Sequence, residues 1–293
     1  MTDTKWLAER FEEHRPRLRA VAYKMLGSLT ETDDALQDAW LRVSRADTSG
    51  VENLGGWLTT VVARVALNML RSRTTRRHQS LYDVHLPDPI VDPPDGADPE
   101  HEALLADSVG LALLVVLEAL SPTERLAFVL HDMFAVPFDE IAAIVDRTPE
   151  ATRQLASRAR RRVQGSAPVP DADLETQWRV VDAFLAAARN GDFEALVAIL
   201  DPDVVLRADG GVTGLSHRAR GAAEVARQAT MWNRAGLSIR RALVNGAAGL
   251  VSERDGKPFS IGAFTIRNER IVECDFLVDP DRVAQLDLEV LQD

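Results

Sequence analysis

Apolar residues recur at helical spacing through the first half of the chain and at strand spacing only toward its end. The clearest case is Phe138, Ile141, Ala142 and Val145, which fall at i, i+3, i+4 and i+7 and give a short helix one apolar face. Asp146-Arg147 breaks the pattern. Thr148 then suits an N-cap, Pro149 the first helical position, and Glu150 the positive end of the helix dipole. The helix that follows is expected to bury Ala151, Leu155, Ala159 and Val163. It shows Arg153, Ser157, Arg158, Arg160, Arg161 and Arg162 outward, with no acid between Glu150 and Gln164. Two short helices, a tight turn and an Arg-studded second helix match a helix-turn-helix, whose second helix fits the DNA major groove. A plain helical hairpin with a solvated basic face carries the same pattern.

Upstream, Trp6 to Arg77 reads as all helix, punctuated at Gly27-Ser28, with Thr30 and Asp33 as a capping-box signature. The helix after it buries Leu36, Trp40 and Val43 and leaves Asp33, Asp34, Gln37, Asp38 and Arg42 outside. A loop holding Arg45, Asp47, Ser49, Asn53 and the Gly55-Gly56 pair leads to Trp57, which opens the next helix. That helix buries Leu58, Val61, Val62, Val65 and Met69, while Arg64, Asn68 and Arg71 share another face. Such a face can track a nucleic-acid backbone and hold unstacked bases; a core Trp beside a solubilising basic tail fits equally.

From Leu81 to Asp107 the composition changes: eight acids, no Lys or Arg except outside this span, and five prolines that prevent regular structure for most of it. One patch within this acidic linker, Leu86-Pro87-Asp88-Pro89-Ile90, is apolar enough to dock on a surface. Helices resume near Ser108, and Ser121-Pro122-Thr123-Glu124 is a strong helix start. A short breaker-rich linker, 165–173, precedes the last block. There Trp178, Val181, Leu185 and Ala188 mark a helix ending at Asn190-Gly191, and Phe193, Leu196 and Leu200 mark another. A short strand at Val204–Arg207, a helix near Ala222–Trp232 and strand-like runs at Leu237–Val244, Phe259–Ile266 and Ile271–Leu277 follow. Asn245-Gly246 and Asp255-Gly256 supply turn signals. This order predicts an α+β domain with a curved antiparallel sheet wrapped on helices.

A length of 293 residues predicts two or three units, each with its own core. The formal net charge of -11 restricts any DNA affinity to local basic faces. The single cysteine, Cys274, excludes an internal disulfide and suits a reducing compartment. With no signal-peptide pattern and no apolar run of bilayer length, a cytoplasmic protein with no membrane partner is expected. His101-Glu102-Ala103-Leu104-Leu105 lacks the second His of a zinc-protease helix, and P-loop and dinucleotide fingerprints are missing, so neither metal nor cofactor is expected.

Several of these motifs, in order and spacing, resemble the extracytoplasmic-function sigma factors of bacterial RNA polymerase. The stretch from Thr32 to Arg42 is similar to the polymerase-binding helix of sigma region two, and Val51 to Leu58 with the helix after it to the part that melts and reads the −10 element. Ser121 through Val163 resembles region four, which reads the −35 element. Three further matches resemble the subgroup with a C-terminal SnoaL-like domain. His85-Leu86-Pro87-Asp88-Pro89 is similar to the linker motif Trp-Leu-Pro-Glu-Pro. Asp209-Gly210-Gly211 is similar to the start of Asp-Gly-Gly-Gly-Lys, and Asp279-Pro280-Asp281-Arg282-Val283 to Asn-Pro-Asp-Lys-Leu. Val212 and Thr213 depart from the second motif, and His85 replaces the Trp of the first.

The resemblance implies a multidomain chain: region two over 1–80, linker 81–107, region four over 108–164, linker 165–173 and a SnoaL-like regulatory domain over 174–293. It implies no catalytic set, with core polymerase and promoter DNA as partners. Asp33, Asp34, Gln37, Asp38, Trp40 and Leu41 would meet polymerase, and Arg45, Asp47, Ser49, Asn53, Trp57, Arg64, Asn68 and Arg71 the −10 element. Thr148, Thr152, Arg153, Ser157, Arg158, Arg160, Arg161 and Arg162 would meet the −35 element. Leu86, Pro87, Asp88, Pro89, Asp209, Gly210, Gly211, Asp279, Pro280 and Asp281 would make intramolecular contacts, the C-terminal domain acting in cis in place of a separate anti-sigma protein. An unknown small ligand of that domain is a further expectation. The competing readings are a helix-turn-helix repressor, and a ligand-binding or cyclase-like enzyme domain fused to a DNA-binding regulator, with Asp209, His217 and Asp275 as its available acids and bases.

Overall fold

The computed structural model describes residues 2–48, 50–77, 84–96, 101, 104–105, 110–166, 173–211, 216–233 and 236–288. The chain divides into two compact units, one comprising Met1–Ser80, Glu102–Asp107 and Val116–Ala167, the other Leu81–His101, Ser108–Val115 and Pro168–Asp293.

The first unit is helical. Helix α1 (Thr2–Leu26) stops at Gly27, whose φ of +70° suits a left-handed cap. Helix α2 (Leu29–Val43) is capped by Ser28, whose hydroxyl accepts from the Glu31 amide at 3.4 Å. The expected capping pair Thr30 and Asp33 therefore lies inside the helix. Helix α3 (Leu54–Arg77) begins ahead of Trp57, because the Asn53 side chain accepts from the Gly56 amide at 3.0 Å. Helix α4 (Gly110–Glu118) has residues in both units. Helix α5 (Pro122–Phe128) starts with the capping box expected at Ser121 and Glu124 and continues into a wider π-turn at Val129–Met133. Helices α6 (Phe138–Val145) and α7 (Pro149–Ser166) complete the helix-turn-helix, with Asp146 left-handed at φ 55° in the break.

Leu18, Tyr23, Leu36, Leu58 and Leu67 fill the core where α1, α2 and α3 meet. A charged network joins those helices to α5. The buried Arg125 guanidinium donates to the Lys24 carbonyl at 3.0 Å and to Glu118 at 2.7 Å. Glu118 also receives Arg73, which reaches the Leu26 carbonyl at 3.2 Å and Glu31 at 3.3 Å. Shared donors and acceptors of this kind satisfy charges that would otherwise be costly to bury.

The second unit packs helices against a seven-stranded sheet in the order β1-β4-β5-β6-β7-β2-β3. Helix α8 (Leu174–Asn190) ends at Gly191, φ 67°, as its Asn-Gly signal predicts. Helix α9 (Phe193–Ile199) leads directly into β2 (Leu200–Asp209), longer than the short strand expected. Then come β3 (His217–Arg220), α10 (Ala222–Asn233), β4 (Ser238–Val244), β5 (Ala247–Arg254), β6 (Lys257–Arg267), β7 (Arg270–Leu277) and α11 (Pro280–Val283). The turns at Asn245-Gly246 and Asp255-Gly256 close β4–β5 and β5–β6 with positive φ at all four residues. Phe184, Phe264 and Phe276 interlock edge to face at 5.6 and 5.9 Å between Val181, Leu185, Leu206 and Leu250.

The sheet departs from expectation in three ways. It is mixed, since β2 runs parallel to β7. Strand β5 was not expected, because Ala247-Ala248-Gly249 lacks β-branched residues. Small residues are required there: a Cβ on Gly249 would stand 2.6 Å from the Gly262 carbonyl. Thirdly, the acidic linker, without regular structure for most of its described length as expected, supplies a strand. Leu86 to Asp92 is buried, and Val91–Asp92 forms β1, antiparallel to β4.

Replacing Arg125 with Met strands Glu118 with a single cation. We expect about 3 kcal/mol of destabilisation, at the lower end for breaking a buried ion pair because Arg73 remains. Urea unfolding followed by Trp fluorescence reads it; an unchanged midpoint would refute the structural role of the network.

Candidate nucleic-acid interface and linker dock

Helix α7 divides its polar residues among three directions. Thr152 is fully buried and its hydroxyl donates to the Thr148 carbonyl at 3.0 Å, so it is withdrawn from the expected DNA-facing set. With Ala156 and Ala159 it forms the buried seam, rotated by one residue from the expected Ala151, Leu155, Ala159 and Val163. Thr148 caps the helix through the Ala151 amide at 3.2 Å.

Three of the expected arginines turn back onto the protein. Arg158 and Arg162 reach Glu124 at 3.3 and 3.1 Å, and Arg160 reaches Asp132 at 2.8 Å through Nε. The remaining surface carries Arg153, Gln154, Ser157 and Arg161, all exposed and spaced along one face. Gln154 was missed in the sequence because attention to charge passed over an amide, although its spacing from Ser157 and Arg161 marks it. Arg153 lies over the Phe138 ring, 5.6 Å from its centroid.

On α3, Trp57 is partly covered while Arg64, Asn68 and Arg71 are exposed along the same stripe, as expected. Arg64 donates to the Ala143 carbonyl of α6 at 3.3 Å. Arg45, Asp47 and Asn53 are exposed on the loop, and the Asn53 side chain is engaged as the α3 cap; Ser49 lies outside the described residues. On α2, Asp33, Asp34 and Gln37 are exposed beside Leu41, a large apolar side chain 46% exposed. Asp33 receives Arg19 at 3.3 Å, Asp38 receives Arg42 at 2.8 Å, and Trp40 packs on Phe11 at 5.3 Å.

The second unit brings the three subgroup-like motifs together. Pro87 and Pro89 have no amide hydrogen, so between 86 and 90 only Leu86, Asp88 and Ile90 can donate. Leu86 donates to Asp209 at 2.8 Å and Ile90 to the Asn245 side chain at 3.2 Å, while the Asn245 amide returns a bond to the Ile90 carbonyl at 2.8 Å. At the centre is Arg282. It reaches Asp88 at 2.9 Å, Asp209 at 2.7 Å and the Leu86 carbonyl at 2.6 Å. Among the expected contacts, Leu86, Pro87, Asp88 and Pro89 are buried here. Asp279 caps α11, and a Cβ on Gly211 would fall 2.0 Å from its carboxylate, which is why glycine is needed. Gly210 is buried beside Asp209, whereas Pro280 and Asp281 are exposed and serve α11 through their backbone. Arg282 was named in the sequence only within its motif and Asn245 only as a turn residue, neither as a contact; a lone cation within an acidic motif was the available signal for the first.

Of the acids and bases open to an enzyme, the two carboxylates hold other groups. Asp209 holds the linker. Asp275 is buried against Arg207 at 2.9 Å; burial lifts it, against the pull of Arg207 and with the help of Glu273, to about 6. His217 meets Gln228.

Two sequence families match the helical unit: Sigma-70 region 2 over residues 10–76 and Sigma-70, region 4 over residues 110–163. The chain belongs to the extracytoplasmic-function sigma factors of RNA polymerase. It is similar to the crystal structure of the Mycobacterium tuberculosis sigma factor SigJ, at 32% identity and a TM-score of 0.76, covering 96% of this chain and 99% of that one. In sequence it is 40% identical to ECF RNA polymerase sigma factor SigJ of Mycobacterium tuberculosis over 200 residues, which are 68% of this chain and 64% of the relative. It is 36% identical to the probable sigma factor SigI of the same species over 193 residues, 65% of this chain and 66% of that relative. The sequence match thus spans just under two thirds of either curated relative.

Glu124 holds Arg158 and Arg162. Burial opposes its ionisation, but the Ser121 hydroxyl and amide, then Arg162 and Arg158, outweigh burial and keep its carboxyl below the usual value. A depressed carboxylate stabilises the fold above its unfolded pKa and loses that contribution as pH falls through the folded value. Thermal melts of the Glu124→Gln variant should therefore lie below the parent at neutral pH and converge with it in acid. A gap that persists unchanged into acid contradicts this account.

Proposed function

We propose that this chain directs core RNA polymerase to specific promoters. Helix α7 reads the −35 element through Arg153, Gln154, Ser157 and Arg161, and the Trp57–Arg71 face of α3 with Arg45, Asp47, Ser49 and Asn53 serves the −10 element. The observation that supports it best is the exposed face of α7 on a capped helix-turn-helix, in a chain that belongs to the sigma family. Arginine and glutamine suit base edges because each can bond bidentately, whereas Arg158, Arg160 and Arg162, held by carboxylates at the flanks, suit phosphate. The acidic α2 face with Leu41 meets polymerase.

The C-terminal domain acts in cis, and a separate anti-sigma protein is not required. By docking the linker through Arg282 it shortens the free chain between the two DNA-reading blocks. Those blocks also hold one another, Arg64 on Ala143 and Arg17 on the Phe134 carbonyl at 3.1 Å. Release of the linker favours their separation onto distant promoter elements, and the bias works because the dock exists in only one of the two states.

Promoter-dependent transcription in vitro with bacterial core polymerase tests both parts. Arg161→Ala should lower specific transcript about tenfold, the cost of about 1–3 kcal/mol for a lost base contact. Arg282→Ala should raise it several-fold by freeing the linker, a gain within the usual range of coupling energies of about 1–3 kcal/mol. No specific transcript from the parent on a promoter library refutes the sigma activity; equal yields from the parent and Arg282→Ala refute the restraint.

A further inference from the structure

Behind the linker dock, the second unit holds a cavity of about 980 Å³, open on one side, between α8, α10 and the sheet. That volume is at the upper end for sites that hold a small organic molecule. Its walls are mainly apolar, with Phe184, Leu206, Leu250, Phe259 and Phe276 among them. The polar groups are few and already oriented. Gln228 Nε2 lies 2.5 Å from His217 Nε2 and 3.2 Å from Glu224. On the sheet, the buried Ser252 and Ser260 hydroxyls pair at 2.6 Å; one of them donates to the other, and the second keeps its own proton for a further bond. Arg189 and His217 are the ionisable side chains among the described lining residues.

The same cavity wall carries the linker dock from behind. Side chains alternate across a strand, so Ala208 faces the cavity while Asp209 faces the linker. Gly210 follows, also in the wall, and the Val278 amide donates to the Asp209 carbonyl at 2.7 Å. Val278 and Pro280 both line the cavity, and Pro280 is the first residue of the short helix that bears Arg282. Acceptor and donor of the dock therefore stand next in sequence to, or two residues from, residues that line the cavity.

We propose that the cavity binds a neutral, largely apolar small molecule carrying a carbonyl or hydroxyl group, and that its occupancy is coupled to linker docking through Gly210, Val278 and Pro280. The coupling part rests on the reading of the dock as a restraint. Charged molecules are disfavoured by desolvation against walls of Phe and Leu. The coupling is reciprocal: if the occupant alters linker docking, loss of the dock alters affinity for the occupant by the same factor.

Nile red, a neutral apolar dye with a carbonyl, serves as the probe, titrated by fluorescence into the full chain. The expected result is saturable one-site binding, abolished by Ala229→Phe and by Ala188→Phe, which fill the cavity from α10 and α8 respectively. Absence of saturable binding, or unchanged binding in whichever of those variants melts cooperatively, overturns the site. The dissociation constant for Arg282→Ala should differ from the parent by about fivefold or more, a typical coupling factor. Hydrogen exchange across residues 84–92 should change on dye addition in the parent. Equal constants with unchanged exchange overturn the coupling and leave the binding site standing. The underlying restraint is read separately, without dye: if Arg282→Ala fails to speed exchange across 84–92, the dock does not hold the linker.

Discussion

A single guanidinium decides whether the linker can lie on the C-terminal domain at all. Asp88 and Asp209 would otherwise be two buried carboxylates at one contact, and like charges brought out of water repel strongly. Arg282 bonds both, at 2.9 and 2.7 Å, and takes the Leu86 carbonyl as well. The rest of the dock depends on that inversion of sign. An acidic segment with amide donors only at every second position has few ways to attach to a chain of net charge -11. The bonds from Leu86 and Ile90 and the short β1 pairing supply direction, while the cation supplies the attraction.

The helical unit uses charge in a complementary way. Carboxylates at Glu124 and Asp132 draw Arg158, Arg162 and Arg160 to the flanks of α7, which clears a central strip for Arg153, Gln154, Ser157 and Arg161. An arginine-rich helix is thereby sorted into flanking side chains held by carboxylates and an exposed strip in which Arg153 rests over the Phe138 ring. Pre-positioning lowers the entropy lost when a partner group arrives.

How far the chain could be read in advance followed the range of the interaction concerned. Local signals were legible: the Ser121–Glu124 box, the Asn190-Gly191 stop, the Asn245-Gly246 and Asp255-Gly256 turns, and the break at Asp146. Each is set by residues within one turn of one another. The face of α7 was legible as a whole but misplaced by one residue, because Thr152 satisfies its hydroxyl on its own helix and so can be buried like an alanine. Strand β5 escaped because its small residues reflect close backbone approach to β6, a partner the local pattern does not contain. The linker's short strand was not legible for the same kind of reason: its prolines leave most of it without regular structure, as expected, yet permit an edge strand at Val91–Asp92 whose partner lies about 150 residues away in sequence.

That edge strand has a consequence for the freed domain. Strand β4 protects part of its outer border with Arg240 and Arg241, but the end at Ala242, Leu243 and Val244 carries no charge and is covered by Val91 and Asp92 of the linker. Undocking the linker thus bares an uncharged run of unpaired backbone, the kind of surface on which other extended chains add themselves. Because the linker is tethered to the domain, its high effective concentration favours its own pairing with that border over pairing by a second chain.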